Sequence, residues 1–448
     1  MSVAPAATWP WLLMVLVAGL AGQALLWSNP GYFSHDELQW GHAAWQERMA
    51  ELPWFGWTRI DVFQYRPLTF NLWLLASFHL FDTPRLFHGL WVALGTVNGL
   101  LLFTVLRRWG IRNRPAALGA TAFLLSPVAA HVHGWVGTLG DLLWLGSLLA
   151  IALLGLRVPG GTRRSLARAG CAALLCSAAL LAKESAIVIA PLCAVAWLLS
   201  LDKRSWLPVA LACSIPTVAY LALRLGVIDA AAEGTSYAWS PASVPVRWLE
   251  YQLYPFLPTT FEPLATLQAS TGRLCAAGLL CLLAYGLAFA AHRRLGLGLL
   301  LGSAAALGPV LLLGTSYAQY GYGSIAVLAG VLAAAGQRLA TGRAATVVLC
   351  VLALVSTWHG VNVQRQIHRV GELQAVFTPA LTRLAAVDTG EPLRLRAPAA
   401  QRWIFERFTR EVPGYRGVDY LRQPVIVGEH DAASHEIAPS GTITPLAP

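Results

Sequence analysis

WPWLLMVLVAGLAGQALLWSNPGYFSHDE, residues 9–37, decides how the rest of the chain is read. Its first two thirds, Trp9 to Trp27, carry no charge and are long enough to cross a hydrocarbon layer. Ala-Gly-Gln-Ala at 21–24 loosely imitates a signal-peptide cleavage site, but no Lys or Arg precedes the run, so it is read as a retained first membrane span. A few residues later come His35, Asp36 and Glu37. Adjacent carboxylates at a membrane face carry a desolvation cost unless they are solvated, paired or used, which makes them candidates for function.

The rest of the chain agrees with this start. Of 448 residues, 56% are hydrophobic and only 12% charged, and the mean hydropathy is +0.56, as in a polytopic membrane protein and unlike a soluble globular one. Apolar segments fall near 9–27, 86–106, 115–131, 141–156, 169–184, 185–200, 205–223, 274–291, 296–314, 324–337 and 344–360. These predict about eleven transmembrane helices. The net charge of +10 is almost entirely Arg, since Lys183 and Lys203 are the only lysines. Arg107, Arg108, Arg112 and Arg114 follow the second span, and Arg157, Arg163, Arg164 and Arg168 the fourth. Lys203 with Arg204, Arg293 with Arg294, and Arg338 with Arg343 follow the sixth, eighth and tenth. Every alternate loop is therefore basic, which by the positive-inside rule makes those loops and the N-terminus cytoplasmic and puts the C-terminal tail and nearly every carboxylate on the far side.

That far side holds residues 28–85, residues 224–273 and a tail from about 361. Leu38 to Leu52 reads as an interfacial amphipathic helix with Leu38, Trp45, Met49 and Leu52 on its apolar side and Gln46, Glu47 and Glu51 turned away. The tail reads as a small α/β domain, 361–448, appended to a transmembrane domain, 1–360. It has a helix-compatible start from Gln364 to Ala386, strand-like runs such as Pro424 to Val427, and a flexible end after Ala433. Trp40, Trp45, Trp54, Trp57, Tyr65, Trp239, Trp248, Tyr251 and Tyr254 fit an interfacial aromatic belt. Cys171, Cys176, Cys193, Cys213, Cys281 and Cys350 lie in apolar runs without metal-finger or CxxC spacing and read as small buried residues.

Ionisable residues mark the outer ends of several spans: Asp36 and Glu37, Arg66, Asp141, Lys183 and Glu184, and Arg224. Carboxylates suit deprotonation of an acceptor, and cations suit neutralising a phosphate leaving group. The set therefore points to group transfer from a phosphorylated lipid. Each member also has a structural alternative: Lys183 and Glu184 as a self-compensating pair, Arg224 as an interfacial anchor, and Asp141, or one of Asp36 and Glu37, as a helix cap. His35, His42, His131 and His133 with the nearby carboxylates would be the candidates for a divalent metal, although no tight ligand motif is present and no cofactor is required by the pattern. A polyprenyl-linked sugar flippase would use the same phosphate-facing cations. Against it, no internal repeat or midmembrane polar set is visible.

The order of Asp36-Glu37, Tyr65-Arg66-Pro67-Leu68-Thr69, Phe87-His88-Gly89-Leu90, Pro127 through Trp135 to Asp141, Lys183-Glu184 and Arg224 resembles the protein O-mannosyltransferase-like GT-C glycosyltransferases. The likeness covers about residues 10 to 330 and is nearest to the tetratricopeptide-bearing branch, without its repeats. The resemblance implies a GT-C bundle that transfers a sugar, with inversion, from a polyprenyl-phosphate donor to an extracytoplasmic protein such as a pilin, or to a lipid-linked glycan. It implies Asp36 as catalytic base, Glu37 as a positioning group, and Arg66, Lys183 and Arg224 around the donor phosphate. Asp141, Glu184, His131, Gln319 and Tyr322 would position substrate. Where the related enzymes carry His, Glu and Arg, this chain has Ala129, His131 and Leu139, and Gln319 replaces an Arg ahead of Tyr320 and Tyr322. The resemblance therefore implies no particular sugar. Size, Ala/Leu/Arg-rich composition and the missing repeats place the expected enzyme in a bacterial inner membrane.

Overall fold

The computed structural model describes residues 8–446 except 47–50, 52–53, 55, 157–160, 201, 233–237, 259–262, 341, 388–391, 411, 421–424 and 429–432. Met49, Glu47 and Leu52 of the expected amphipathic helix lie outside the described residues.

The chain is a polytopic helical membrane protein. Helix α1 (Trp9–Leu20) continues through a 3-10 turn into the short α2 (Ala24–Trp27), and together they make the first span. On one side of the bundle follow α3 (His35–Gln46) and α4 (Pro67–Leu80). The spans then continue with α5 (Pro84–Arg108), the pair α6 (Asn113–Leu124) and α7 (Pro127–Gly134), α8 (Leu139–Gly155), α9 (Thr162–Ala182), α10 (Ile189–Leu199) and α11 (Lys203–Ala232). After α12 (Val244–Leu253) come α13 (Thr271–Ala291), α14 (Arg293–Leu307), α15 (Tyr322–Arg338) and α16 (Arg343–Ala385).

Among the described residues nine helices are long and apolar enough to cross a membrane. Two of the eleven expected spans differ. The segment read as one span over 115–131 is α6 and α7, bent by 58°. Pro127 has no N–H to continue the helix and disfavours helical backbone before it, while Ser126 accepts from the Ala129 N–H and starts α7 afresh. Gly360 of α16 fits against the Leu125 carbonyl at this bend, where a side chain would collide with it. The segment over 185–200 is shorter than the others, because a 3-10 turn from Glu184 to Val188 precedes α10.

α16 is one helix of 43 residues, about 64 Å long, so it runs without a break through the expected domain boundary at 360. Beyond it, β1 (Leu393–Arg396) leads to α17 (Arg402–Arg410), a hairpin of β2 (Gly414–Tyr415) and β3 (Val418–Asp419), and then β4 (Val425–Gly428), β5 (His435–Ile437) and β6 (Ile443–Pro445). The main sheet has the order β4-β1-β5-β6, with β1 parallel to both neighbours and β5 antiparallel to β6. The stretch after Ala433 was expected to be a flexible end. It is instead β5 and β6, with Ile437 buried and Gly441 packed on α16 at Phe377. The short alternation of His435-Glu436-Ile437 carries too few apolar residues to show as a strand until its partner β1 is known.

α3 packs part of its expected apolar side, Leu38, inside the protein. Its buried side is Glu37, Leu38, Gly41 and Ala44, set against α4 and Phe81, whereas Trp45 is 61% exposed. Trp40 stacks on Phe70 at 4.6 Å and tilts against Trp73. The second apolar partner, α4, lies in a stretch too polar at its ends to register as a span, so the facing side of α3 was not identifiable. Cys176, Cys193 and Cys213 are buried as expected, but Cys171 and Cys350 face outward, and all seven cysteines are free. Of the aromatic belt, Tyr251 and Tyr254 belong to the core.

Candidate functional site

The loop from Asn29 to Ser34 is pinned before α3 begins. Tyr32 donates its hydroxyl to the Phe81 carbonyl at 2.6 Å and stacks on that ring at 4.7 Å, and its N–H donates to Gln374 Oε1 of α16 at 2.8 Å. His88 meets the Gly31 carbonyl at 2.9 Å. Glu37 completes the anchoring. Its Oε2 accepts from the N–H groups of Phe33 and Ser34 at 2.7 and 2.9 Å, and its Oε1 from that of Val136 at 2.8 Å. Ser34-x-x-Glu37 is thus the backward half of a capping box, with the carboxylate also joining α3 to the turn before α8. Glu37 is fully buried, and desolvation outweighs the three N–H donors, pushing its carboxyl up from 4.5 to about 7. The helix-cap alternative belongs to Glu37. Its side chain is spent on backbone groups and is not presented to a substrate.

Asp36, one residue earlier, turns the other way. Its side chain is 32% exposed and its Oδ1 lies 2.9 Å from His35 Nε2. His35 in turn accepts at Nδ1 from Arg407 of α17 at 2.8 Å. No sequence signal connects Arg407 with this place, since 372 positions separate the two residues.

The second group of charges sits where α9 ends. Lys183 pairs with Asp141, whose other oxygen accepts from Trp144 Nε1 at 3.2 Å; both charged side chains are nearly fully buried. Glu184 pairs with both nitrogens of one edge of Arg66, the Nε at 2.6 Å. Neighbours in the chain, Lys183 and Glu184 therefore do not compensate each other; each finds its counter-charge on another helix. Asp141 does not cap α8, which begins at Leu139 without a side-chain cap. Arg224 is not a headgroup anchor. It is buried and donates to the carbonyls of Ile60, Val62 and Phe63, 2.9 Å in the last case, with its guanidinium 5.4 Å from the Tyr65 ring centre. It holds the loop that delivers Arg66.

Beside these pairs a small cleft of about 130 Å³ lies between α11 and the 3-10 segment 308–312. Leu221, Leu225, Ile228 and Val310 wall it with apolar surface, and Lys183 and Glu184 line it together with Tyr320, whose ring centre is 5.3 Å from Lys183 Nζ. Gln319, next to it, is buried with no hydrogen-bond partner for Oε1 among the described residues.

The remaining expected residues have other surroundings. Tyr322 receives or gives a hydrogen bond at His133 Nε2, 2.7 Å away, and accepts from Asn98 at 3.4 Å. That network continues from His133 Nδ1 to Gln23 Oε1 and lies inside the bundle, so the Tyr322 hydroxyl is committed there. His131 is buried edge-on to Phe33 and Trp135. Among the described residues no three His, Cys, Asp or Glu side chains converge as a metal site would require, and His42 bonds Gln46. A further charged node, Glu250 with Arg247 at 2.7 Å and Ser316 at 2.7 Å, clamps α12 to the 313–317 loop.

No family model matches the chain, and no curated protein matches it by sequence. Among solved structures it is similar to the archaeal oligosaccharyltransferase AglB from Archaeoglobus fulgidus, in complex with an inhibitory peptide and a dolichol-phosphate. The identity is 13% and the TM-score 0.48, over 94% of this chain and 64% of that one. The chain thus spans less than two thirds of that enzyme's length.

Proposed function

We propose that the protein is an integral membrane glycosyltransferase of the GT-C class that takes a sugar from a polyprenyl-phosphate donor and transfers it to an extracytoplasmic acceptor, a protein or a lipid-linked glycan. The observation that carries this reading is the cleft: its lining is mostly apolar, as an isoprenoid chain requires, and includes a lysine. Lys183 has three donors, of which Asp141 engages one, so it can still donate to a phosphate oxygen. Arg66 contributes positive charge beside it. Arg224 acts one step back by holding the 60–63 carbonyls and so the approach of Arg66.

In this reading Asp36, the half-buried carboxylate, accepts the proton of the attacking acceptor group. The bond from the acceptor to the anomeric carbon forms as the carbon–oxygen bond to the lipid phosphate breaks, and the phosphate leaves toward Lys183. Charge stabilisation at such a leaving group is worth about 3 kcal/mol per well-placed donor. The alternating basic loops support a cytoplasmic N-terminus and a site on the non-cytoplasmic face of the membrane, and the size and Ala/Leu/Arg-rich composition favour a bacterial inner membrane.

The test is release of undecaprenyl phosphate from labelled undecaprenyl-phosphate mannose and undecaprenyl-phosphate glucose by the purified protein with an envelope-protein fraction as acceptor. Asp36→Asn is expected to bind the lipid as before and to lose about 10²–10⁴-fold in turnover, the usual contribution of a general base. Full turnover in that variant removes Asp36 from the mechanism, and binding without release by the native protein favours a lipid-sugar flippase.

A further inference from the structure

Asp36 stands at the first turn of α3 with one oxygen engaged by His35 and, among the described residues, no hydrogen-bond partner for the other. What decides this division lies in the C-terminal region. Arg407 donates through Nε to His35 Nδ1 at 2.8 Å and through its Nη2 to Ser34 Oγ at 2.8 Å, with its guanidinium 5.5 Å from the Phe33 ring centre. A guanidinium has only donors and keeps its protons, so the imidazole nitrogen that meets it must be the unprotonated one. The ring proton of His35 is thereby placed on Nε2, the nitrogen 2.9 Å from Asp36 Oδ1.

We propose that Arg407 is a positioning residue for Asp36, acting through His35: it selects the His35 tautomer that donates to Oδ1 and so turns Oδ2 toward the acceptor. The proposal rests on the reading of Asp36 as base. Arg407 is itself held rigidly. Phe405 and Phe408 of α17 are fully buried, Phe405 packs on Phe377 of α16 at 4.8 Å, and the β2–β3 hairpin docks on the turn after α4 through Tyr415 on Phe81 and Arg416 on Asp82 at 2.8 Å. The appended α/β region therefore completes the site made by the first outer loop. A carboxylate that orients an imidazole in a Ser-His-Asp triad works on the same physical basis, with the order of the groups changed here.

The experiment uses full-length protein in nanodiscs, labelled with ¹⁵N-histidine, with His35→Gln identifying the His35 signals. In the native protein His35 is expected to carry its proton on Nε2. In Arg407→Ala both tautomers are expected, and free guanidinium at a sub-denaturing concentration is expected to restore the Nε2–H form. With undecaprenyl-phosphate mannose or glucose as donor, kcat should fall about tenfold or more in Arg407→Ala while the donor KM stays unchanged, since the cleft is built by other helices. If that variant does not fold, Arg407→Lys, which keeps a charge and a donor, is expected to fold with an intermediate kcat and an unchanged donor KM. An Nε2–H tautomer that persists without Arg407, or a kcat that does not respond, overturns the proposal. Should the native protein release no undecaprenyl phosphate from either probe, the glycosyl-transfer reading falls, and the tautomer comparison alone decides whether Arg407 positions His35.

Discussion

The first turn of α3 and the end of α9 both bring carboxylates together with cations, and they compensate those charges in different ways. At the end of α9, Lys183 with Asp141 and Arg66 with Glu184 form two ion pairs between helices, the first nearly sealed from solvent. At α3, Asp36 meets a histidine and solvent, and Glu37 meets three backbone N–H groups. The buried pairs hold their segments together, with Lys183 and Glu184 lining the cleft. The second oxygen of Asp36 has no hydrogen-bond partner among the described residues.

This comparison can be broken at either end. The largest effect is expected in turnover from Asp36→Asn, described above, with the thermal midpoint in detergent unchanged; a drop of several degrees would show that Asp36 is structural like its neighbour. Next comes Lys183→Ala, which strands the Asp141 carboxylate in the interior and should cost about 3–5 kcal/mol of stability. The double change Lys183→Met with Asp141→Leu removes both charges and should recover most of that loss without recovering turnover, as measured by thermal unfolding and donor release. If the double variant is active, the pair serves only to lock α8 to α9.

Glu37→Gln sharpens the contrast through pH. Burial raises the Glu37 carboxyl from 4.5 to about 7, so its contribution to stability is fully present below pH 4.5 and is lost as pH rises through about 7. The shift corresponds to about 3 kcal/mol. Relative to Glu37→Gln, which cannot titrate, the native protein should therefore be more stable near pH 4.5 than near pH 8 by about that amount, and parallel unfolding curves across this range would contradict it. The smallest effect is expected at Trp45. It is mostly exposed on α3, and Trp45→Ala should change stability by no more than about 0.5 kcal/mol. A larger loss would show that Trp45, despite its exposure, contributes packing to the fold.

How far the fold could be read in advance depends on the kind of signal. The spans from Pro84 to Arg108 or from Thr271 to Ala291 are evident because hydropathy is a local property of the chain. The bend at Ser126-Pro127 was equally local, but proline is tolerated within membrane helices, so its presence did not settle whether one span or two pieces would form. Ser34-x-x-Glu37 could have been recognised as a capping box, which would have separated the roles of Asp36 and Glu37 at once. Arg407 had no comparable signal. It is one of several arginines on a short polar helix, and its significance lies in a contact with a residue near the other end of the chain.

The sequence by itself determined that this is a helical membrane protein, where most of its spans lie, and that Asp36, Arg66, Asp141, Lys183, Glu184 and Arg224 belong near the ends of those spans, because hydrophobic length and charge placement act residue by residue. Only the tertiary structure decided which charges pair. Lys183 with Asp141, Arg66 with Glu184, Glu37 with the backbone and His35 with Arg407 depend on which helix ends meet, and ion pairs and hydrogen bonds form across the few ångströms that separate neighbours in space, whatever their distance along the chain.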